Sequence, residues 1–328
     1  MGDEALLHSE QIAVLIPCYN EALTIDKVVR DFRRVLPSAA IWVYDNNSTD
    51  GTADIALAAG ALVQREPRQG KGNVVRQMFR DIEADCYLLV DGDDTYPADA
   101  APSLCAPILA GESDMTVGDR LSNGTYAKEN KRALHGFGND LVRIMIRWIY
   151  GYEFDDVMTG YRAFSRPFVK TFPTLSSGFQ IETELSIHAV DRRWRILDVP
   201  IVYRDRPQGS VSKLDTIGDG MRVVAMIGML FKDYRPLKLF SIVAIVMFIM
   251  GLFAGVPVVV DYMETGLVPR LPSAILAVGF IFLSALAVAT GLILDTVAKA
   301  ERRQWELAVY RAMDRSCTDG TRFGNITS

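Results

Sequence analysis

From residue 11 to 235 the chain alternates short apolar runs with segments of helical spacing. Residues 12–19 (IAVLIPCY) are apolar until a polar turn, as a buried strand would be. Residues 21–35 then put Ile25, Val28, Val29 and Phe32 on one helical face. Residues 40–45 (AIWVYD) predict a second buried strand and 52–59 a second helix. A short third strand follows at 61–64, and a third helix begins near Gly72. Residues 86–94 (CYLLVDGDD) predict a fourth strand that ends in acids. This order predicts an α/β fold built on a parallel sheet covered on both faces.

Two later segments fit that scheme less well. Residues 134–150 have helical spacing and carry Arg143, Arg147, Trp148 and Tyr150, and residues 214–231 are similar, with Ile217, Met221, Val224 and Met229 apolar. Such helices suit either a membrane interface or an ordinary amphipathic packing on the sheet. The second segment lies next to a membrane segment in sequence, which favours the interface for it.

Residues 239–260 and 271–294 contain no charge. Each exceeds the roughly 20 residues a helix needs to cross a bilayer. The connection 261–270 is too short for a domain and predicts a hairpin. Lys232, Arg235 and Lys238 precede the first span, Lys299, Arg302 and Arg303 follow the second, and the loop holds only Arg270. The positive-inside rule therefore predicts a cell-membrane protein with its catalytic domain and both ends in the cytoplasm. The expected division is a catalytic domain at 1–213, a juxtamembrane amphipathic helix at 214–236, two transmembrane helices at 237–295 and a cytoplasmic tail at 296–328, with a short helix at 300–310 and disorder from 317.

Composition adds exclusions. The net charge of -5 gives nucleic-acid binding no electrostatic support. Cys18, Cys86, Cys105 and Cys317 match no zinc spacing and suit a reducing compartment. Residues 1–10 carry acids and no apolar core, and do not read as a secretory signal.

The strongest chemical signal is DGDD at 91–94, after an apolar strand. Carboxylates gathered at a strand end repel one another, and a hard divalent cation, Mg²⁺ or Mn²⁺, relieves that repulsion and suits a diphosphate. A lone acidic turn would be merely solvated, but other motifs also fall at strand ends, where open parallel sheets carry their sites. PCYNE (17–21) follows the first strand and DNNSTDGT (45–52) the second. Asp45 is placed to accept hydrogen bonds from a base or ribose, and Ser48 or Asp50 to cap the next helix. QGKGN (69–73) sets two glycines around Lys71, a weak signal for backbone approaching a phosphate.

In their order, PCYNE, DNNSTDGT, REPRQGKGN and VDGDDTYP resemble the nucleotide-sugar domain of family 2 glycosyltransferases, which has the GT-A (Rossmann-like) fold. DDVMTGYRAF (155–164), GFQIETEL (178–185) and YRDRPQGSVSKL (203–214) are similar to the polyprenyl-phosphate sugar synthases, the branch that includes dolichyl-phosphate mannose synthase. The resemblance covers nearly all of the chain except its tail. It implies that Pro17, Tyr19, Glu21 and Asp45 hold the nucleoside and that Lys71 lies near the nucleotide. It puts Asp91 and Asp93 at the metal, Asp93 first among direct ligands, and turns Arg162, Arg204, Arg206, Ser212 and Lys213 toward phosphates, with Arg162 also counted as catalytic. Glu182 and Glu184 stay open between a base and a favourable helix start.

The implied reaction moves a sugar from a nucleotide-sugar donor, with uridine favoured, to polyprenyl phosphate, inverting the anomeric centre. The lipid bilayer is a third partner, and relatives with this hairpin often assemble through it. Two other readings stay open: a processive polysaccharide synthase, which would usually have more membrane helices and a QxxRW-type motif that RRWR (192–195) does not match, and a non-catalytic membrane scaffold, against which the intact DGDD argues.

Overall fold

The computed structural model describes residues 10–120, 143–144, 146–148, 150–152, 154–178, 180–204, 225, 228–229 and 231–318. Most of the segments at 134–150 and 214–231 lies outside the described residues, as do Arg206, Ser212, Lys213 and the tail beyond 318. The chain divides into two compact units, Met1–Met226 with Ala308–Ser328, and Ile227–Leu307.

The first unit is built on β1 (Glu10–Cys18), α1 (Ile25–Val35), β2 (Ala40–Asp45), α2 (Thr52–Ala58), β3 (Leu62–Arg65), α3 (Lys71–Asp81) and β4 (Ala84–Leu89). A 3₁₀ turn at Ala98–Ala100 leads into α4 (Ala101–Leu109), then β5 (Met115–Asp119) and β6 (Arg162–Ser165). The unit continues with α5 (Arg166–Thr171), α6 (Ile181–Asp191) and β7 (Ile196–Pro200). The seven strands stand in the order β3-β2-β1-β4-β6-β5-β7.

β1 is parallel to β2 and β4, and β2 to β3. The helical crossovers between these strands produce that direction, since parallel neighbours cannot be joined by a tight turn. β1 is a near-continuous apolar run because both its faces are covered: Ala13, Val14, Leu15 and Ile16 are each 0% exposed. On one face the core gathers Val28, Val29 and Phe32 of α1, Ala56 of α2, and Leu104 and Ile108 of α4.

The four strands expected to be parallel are so, and the strands that follow them make the sheet mixed. β6 runs antiparallel to both β4 and β5, and β7 returns parallel to β5. β4 also stops at Leu89, so the acids of DGDD stand in the turn beyond the strand.

In the second unit, α7 (Pro236–Thr265) and α8 pack as a hairpin; α8 continues past this unit and spans Leu271–Thr318. Both are long and apolar enough to cross a bilayer. Their outward side chains are apolar, with Phe253, Ile249, Phe282 and Ile293 exposed, the reverse of a helix facing water. The seam is made of small residues. Ser284 Oγ donates to Ala244 O at 2.8 Å, and a Cβ at Gly251 would meet Ile281 and the Ala277 carbonyl. One at Gly291 would meet Phe240. These contacts let the two backbones approach closely. α8 is continuous where a break and a separate short helix are expected. No Gly or Pro falls between Asp295 and Ala312, and Lys299 pairs with Asp295 one turn back.

Candidate functional site

Parallel pairing brings the carboxyl ends of β1, β2 and β4 to one edge, with Cys18 in register with Asp45. The loops that leave them carry the sequence motifs, and polar side chains tie those loops together. Asn20, in the left-handed region at φ 53°, accepts at Oδ1 from Thr49 N at 2.8 Å and donates its own N–H to Ser48 Oγ. Glu21 N donates to Thr52 Oγ1, and Ala22 N to Asp50 Oδ2. Ser48 therefore bridges two loops. Asp50 accepts from Thr52 N as well as Ala22 N, while Gly51, at the N-cap of α2, has no side chain to cap it.

Asn46 does the same for the third loop. Its amide donates to the carbonyls of Glu66 and Arg68, and its Oδ1 accepts from Gly70 N and Gln69 Nε2. Sequence reasoning does not single out Asn20 or Asn46, although turn-forming asparagines at two strand ends are a usable signal.

Asp45 closes β2 and is 6% exposed. Its Oδ2 accepts from Ser48 N, while Oδ1 is buried with no hydrogen-bond partner. A buried carboxylate oxygen is costly unless a donor meets it, so this atom asks for an N–H or O–H from a ligand. Pro17 lies near the end of β1, Glu21 is buried at the start of the next turn, and Tyr19 stands 39% exposed at the same edge.

Lys71 opens α3. Its Nζ lies 2.5 Å from Asp91 Oδ1 and 2.6 Å from Glu182 Oε1. Burial works against the ammonium, but Asp91 and Glu182 outweigh it and hold the pKa above the ordinary lysine value. The glycines on either side do not open the backbone to a phosphate. A Cβ at Gly70 would collide with the Ser177 carbonyl and one at Gly72 with the Ser176 carbonyl, and Gly72 N donates to Ser177 O. Glu184 holds that partner segment, accepting from Leu175 N, Ser176 N and Ser176 Oγ. Of the two glutamates left open by the sequence, Glu184 anchors a loop and Glu182 faces Lys71.

In DGDD, Asp91 reaches Lys71. Asp93 is 4% exposed and accepts at Oδ1 from Thr95 N and Oγ1. Asp94, at φ 61°, pairs with Lys27 at 2.7 Å. Among the described residues no three His, Cys, Asp or Glu side chains gather as a metal cage. Two carboxylates at a turn nevertheless fit Mg²⁺ or Mn²⁺, which commonly take one or two protein carboxylates and complete their shell with diphosphate and water.

Arg162 is turned into the protein. It is 0% exposed on β6, and its guanidinium donates to Val157 O, Thr159 O and Ser186 Oγ. Burial lowers its pKa to about 10. With those acceptors close around it, Arg162 shapes the turn at 157–160, and its burial and backbone partners support neither the catalytic nor the phosphate-binding role expected of it. Arg204 is exposed, and its N–H donates to Thr95 O, which puts it beside the DGDD turn.

A second cation at this edge escapes sequence reasoning. Arg120, just past β5, makes a two-point ion pair with the fully buried Asp156 and donates to Tyr96 OH. Tyr96 OH also accepts from Gly160 N at 3.0 Å. Burial pushes this phenol up to about 12, so it stays neutral.

A seven-stranded mixed sheet with knitted loops and acids beyond its fourth strand is a GT-A architecture. The profile of glycosyl transferase family 2 matches residues 13–172. Glycosyltransferase AglJ of Haloferax volcanii is 32% identical over 299 residues, 90% of this chain and 96% of that protein. The dolichyl-phosphate hexose transferase of the same organism is 30% identical over 215 residues, 65% of this chain and 91% of that one. Among solved structures, glucosyl-3-phosphoglycerate synthase from Mycobacterium tuberculosis, in complex with Mn²⁺, UDP-glucose and phosphoglyceric acid, superposes with a TM-score of 0.55 at 25% identity. The match covers 66% of this chain and 78% of that one. The chain belongs to glycosyl transferase family 2.

Proposed function

We propose that the protein is an inverting glycosyltransferase that moves a sugar from a UDP-linked donor to polyprenyl phosphate, giving a polyprenyl-phosphate monosaccharide. The observation that carries this reading is the joining, in one chain, of a nucleotide-type site with two helices of bilayer length. The similarity to the dolichyl-phosphate hexose transferase supports the acceptor class. The basic residues that flank the helices support a cytoplasmic catalytic unit with both ends on the same side.

On this reading the unmatched Asp45 oxygen accepts from the nucleobase or ribose, with Pro17, Tyr19 and Glu21 lining the same edge. Asp91 and Asp93 hold a divalent ion, which supplies charge neutralisation for the departing nucleoside diphosphate. Lys71 lends a positive charge beside it. The acceptor phosphate is ionised at neutral pH, so it needs positioning more than a general base. Arg204, whose N–H donates to Thr95 O beside the DGDD turn, is the described cation among those assigned to the acceptor, with Arg206, Ser212 and Lys213 following it in sequence. Direct attack by the acceptor inverts the sugar.

The test is to incubate the purified full chain with a panel of UDP- and GDP-sugars and polyprenyl phosphate, and to weigh the lipid product. Addition of one hexose or N-acetylhexosamine mass supports the reading. Transfer to a free monosaccharide with none to polyprenyl phosphate overturns it.

A further inference from the structure

We propose that Lys71 is a resident counter-ion on Asp91 that leaves for the diphosphate of an arriving nucleotide, so that metal binding at Asp91 depends on nucleotide binding. The proposal rests on the donor-site reading above. Lys71 Nζ contacts Asp91 Oδ1 and Glu182 Oε1 at once. The side chains of Lys71 and Glu182 are each 8% exposed, while that of Asp91 is 29% exposed. Asp91 is thus the member of the trio that a solvated ion reaches first.

An ammonium and a divalent cation compete for one carboxylate oxygen. The two positive charges repel at this distance, and the ammonium already neutralises part of the carboxylate charge that would draw the metal. A cation reaching Asp91 Oδ1 therefore pushes Lys71 away from it. A dislodged buried ammonium needs another anion. Glu182 keeps hold of it on one side, and the diphosphate of a bound nucleotide is the natural replacement on the other.

The movement is confined to the side chain. Gly70 and Gly72 pack tightly against the backbone at 176–177, which holds the start of α3, and Glu184 holds that backbone in turn. Only the flexible four-carbon stem is free to swing, with Glu182 as its pivot.

The experiment titrates Mn²⁺ into the detergent-solubilised full chain, with and without saturating UDP (GDP in parallel), and reads free Mn²⁺ by electron paramagnetic resonance. The quantity of interest is the ratio of the two Mn²⁺ affinities. For Lys71→Met the Mn²⁺ affinity without nucleotide should rise and the ratio should fall by about tenfold against wild type, because the competing ammonium is gone. For Glu182→Gln the affinity without nucleotide should fall and the ratio should rise, because the dislodged lysine has lost its pivot. This second variant keeps the proposal testable should Lys71→Met not fold. Lys27→Met, which removes a lysine paired with Asp94, controls for general charge and should leave the ratio near wild type. A ratio unchanged in Lys71→Met or Glu182→Gln overturns the role of Lys71 while leaving the donor site intact. A wild-type chain that binds neither nucleotide overturns the donor-site reading and this inference with it.

Discussion

Gly160 lies against the carboxylate of Asp91 so closely that a Cβ at position 160 would stand 2.5 Å from Asp91 Oδ2. The turn that presents Gly160 is held from three sides. Tyr96 OH accepts its N–H, Arg162 binds the carbonyls of Val157 and Thr159, and Arg120 pairs with Asp156. The site carboxylate is thus shaped by residues that touch no substrate in the proposed reaction.

Gly160→Ala should therefore displace Asp91 while sparing the fold, since a short side chain is what stands in the way. We expect a loss of about tenfold in Mn²⁺ affinity measured with UDP present, equivalent to ~1.4 kcal/mol. The thermal midpoint should stay near wild type. Unaltered Mn²⁺ affinity would mean that Asp91 does not hold the metal in this position.

Asp93→Ala should abolish transfer in a folded protein. Loss of a ligand to the ion that neutralises the leaving group costs roughly a thousandfold or more in rate. EDTA should stop the wild-type enzyme, and Mn²⁺ or Mg²⁺ should restore it. Turnover that is insensitive to chelation would remove the metal from the reaction.

Arg162→Ala should act on stability. It strands two buried carbonyls and a hydroxyl, at a cost on the order of 3 kcal/mol or more. Arg162→Lys, which cannot reach all three acceptors, should fail in the same direction. Denaturant unfolding measures the loss. A variant of wild-type stability that has lost only its affinity for polyprenyl phosphate would return Arg162 to the substrate.

His188 makes the first unit acid-sensitive. It packs edge-on against Phe168 and Phe172, and burial, aided by Arg192, pushes its pKa down to about 3. The unfolded state takes up a proton near the ordinary value of about 6.5 while the folded state does not. Stability from this residue is therefore complete above that pH and is lost as the pH falls toward 3. Between pH 7 and 5 the loss should be about 2 kcal/mol. Unfolding curves at the two pH values measure it, and His188→Phe should remove most of the difference.

Thr265 ends the first apolar helix and, in the proposed topology, faces away from the cytoplasm. A single cysteine there, in a background without native cysteines, should react with a membrane-impermeant maleimide added to intact cells. Labelling that appears only after permeabilisation would reverse the hairpin.

The half of the sheet made by β1, α1, β2, α2, β3, α3 and β4 is legible in sequence because β1, β2 and β4 are covered apolar runs between clear turn signals, and the short, mostly exposed β3 sits between two helical patterns. AIWVYD marks β2 to the residue. β6 is not legible. Its four residues begin with an arginine, and its direction is decided by pairing with β4 and β5, which no local pattern records. The same holds at the site. The acids and Lys71 are visible as motifs, but an arginine that binds substrate and one that binds its own backbone look alike until burial separates them. The glycines around Lys71 mislead for a related reason. Glycine permits close approach, and the neighbour that approaches here, the backbone at 176–177, lies about a hundred residues away.

Along the hairpin seam, Ala244 and Gly251 of one helix stand seven residues apart, and so do Ala277, Ser284 and Gly291 of the other. A seven-residue repeat on two antiparallel rods works like the teeth of a rack. Adding a residue to the connecting loop leaves the teeth engaged. Inserting one residue within either helix turns every later tooth by about 100 degrees and swings bulky Leu, Ile or Phe side chains into the gap. Inserting seven lets the rods mesh again one notch further along. In this chain the loop between the rods is thus free to change length, while the rods mesh only at lengths that differ by whole steps of the repeat.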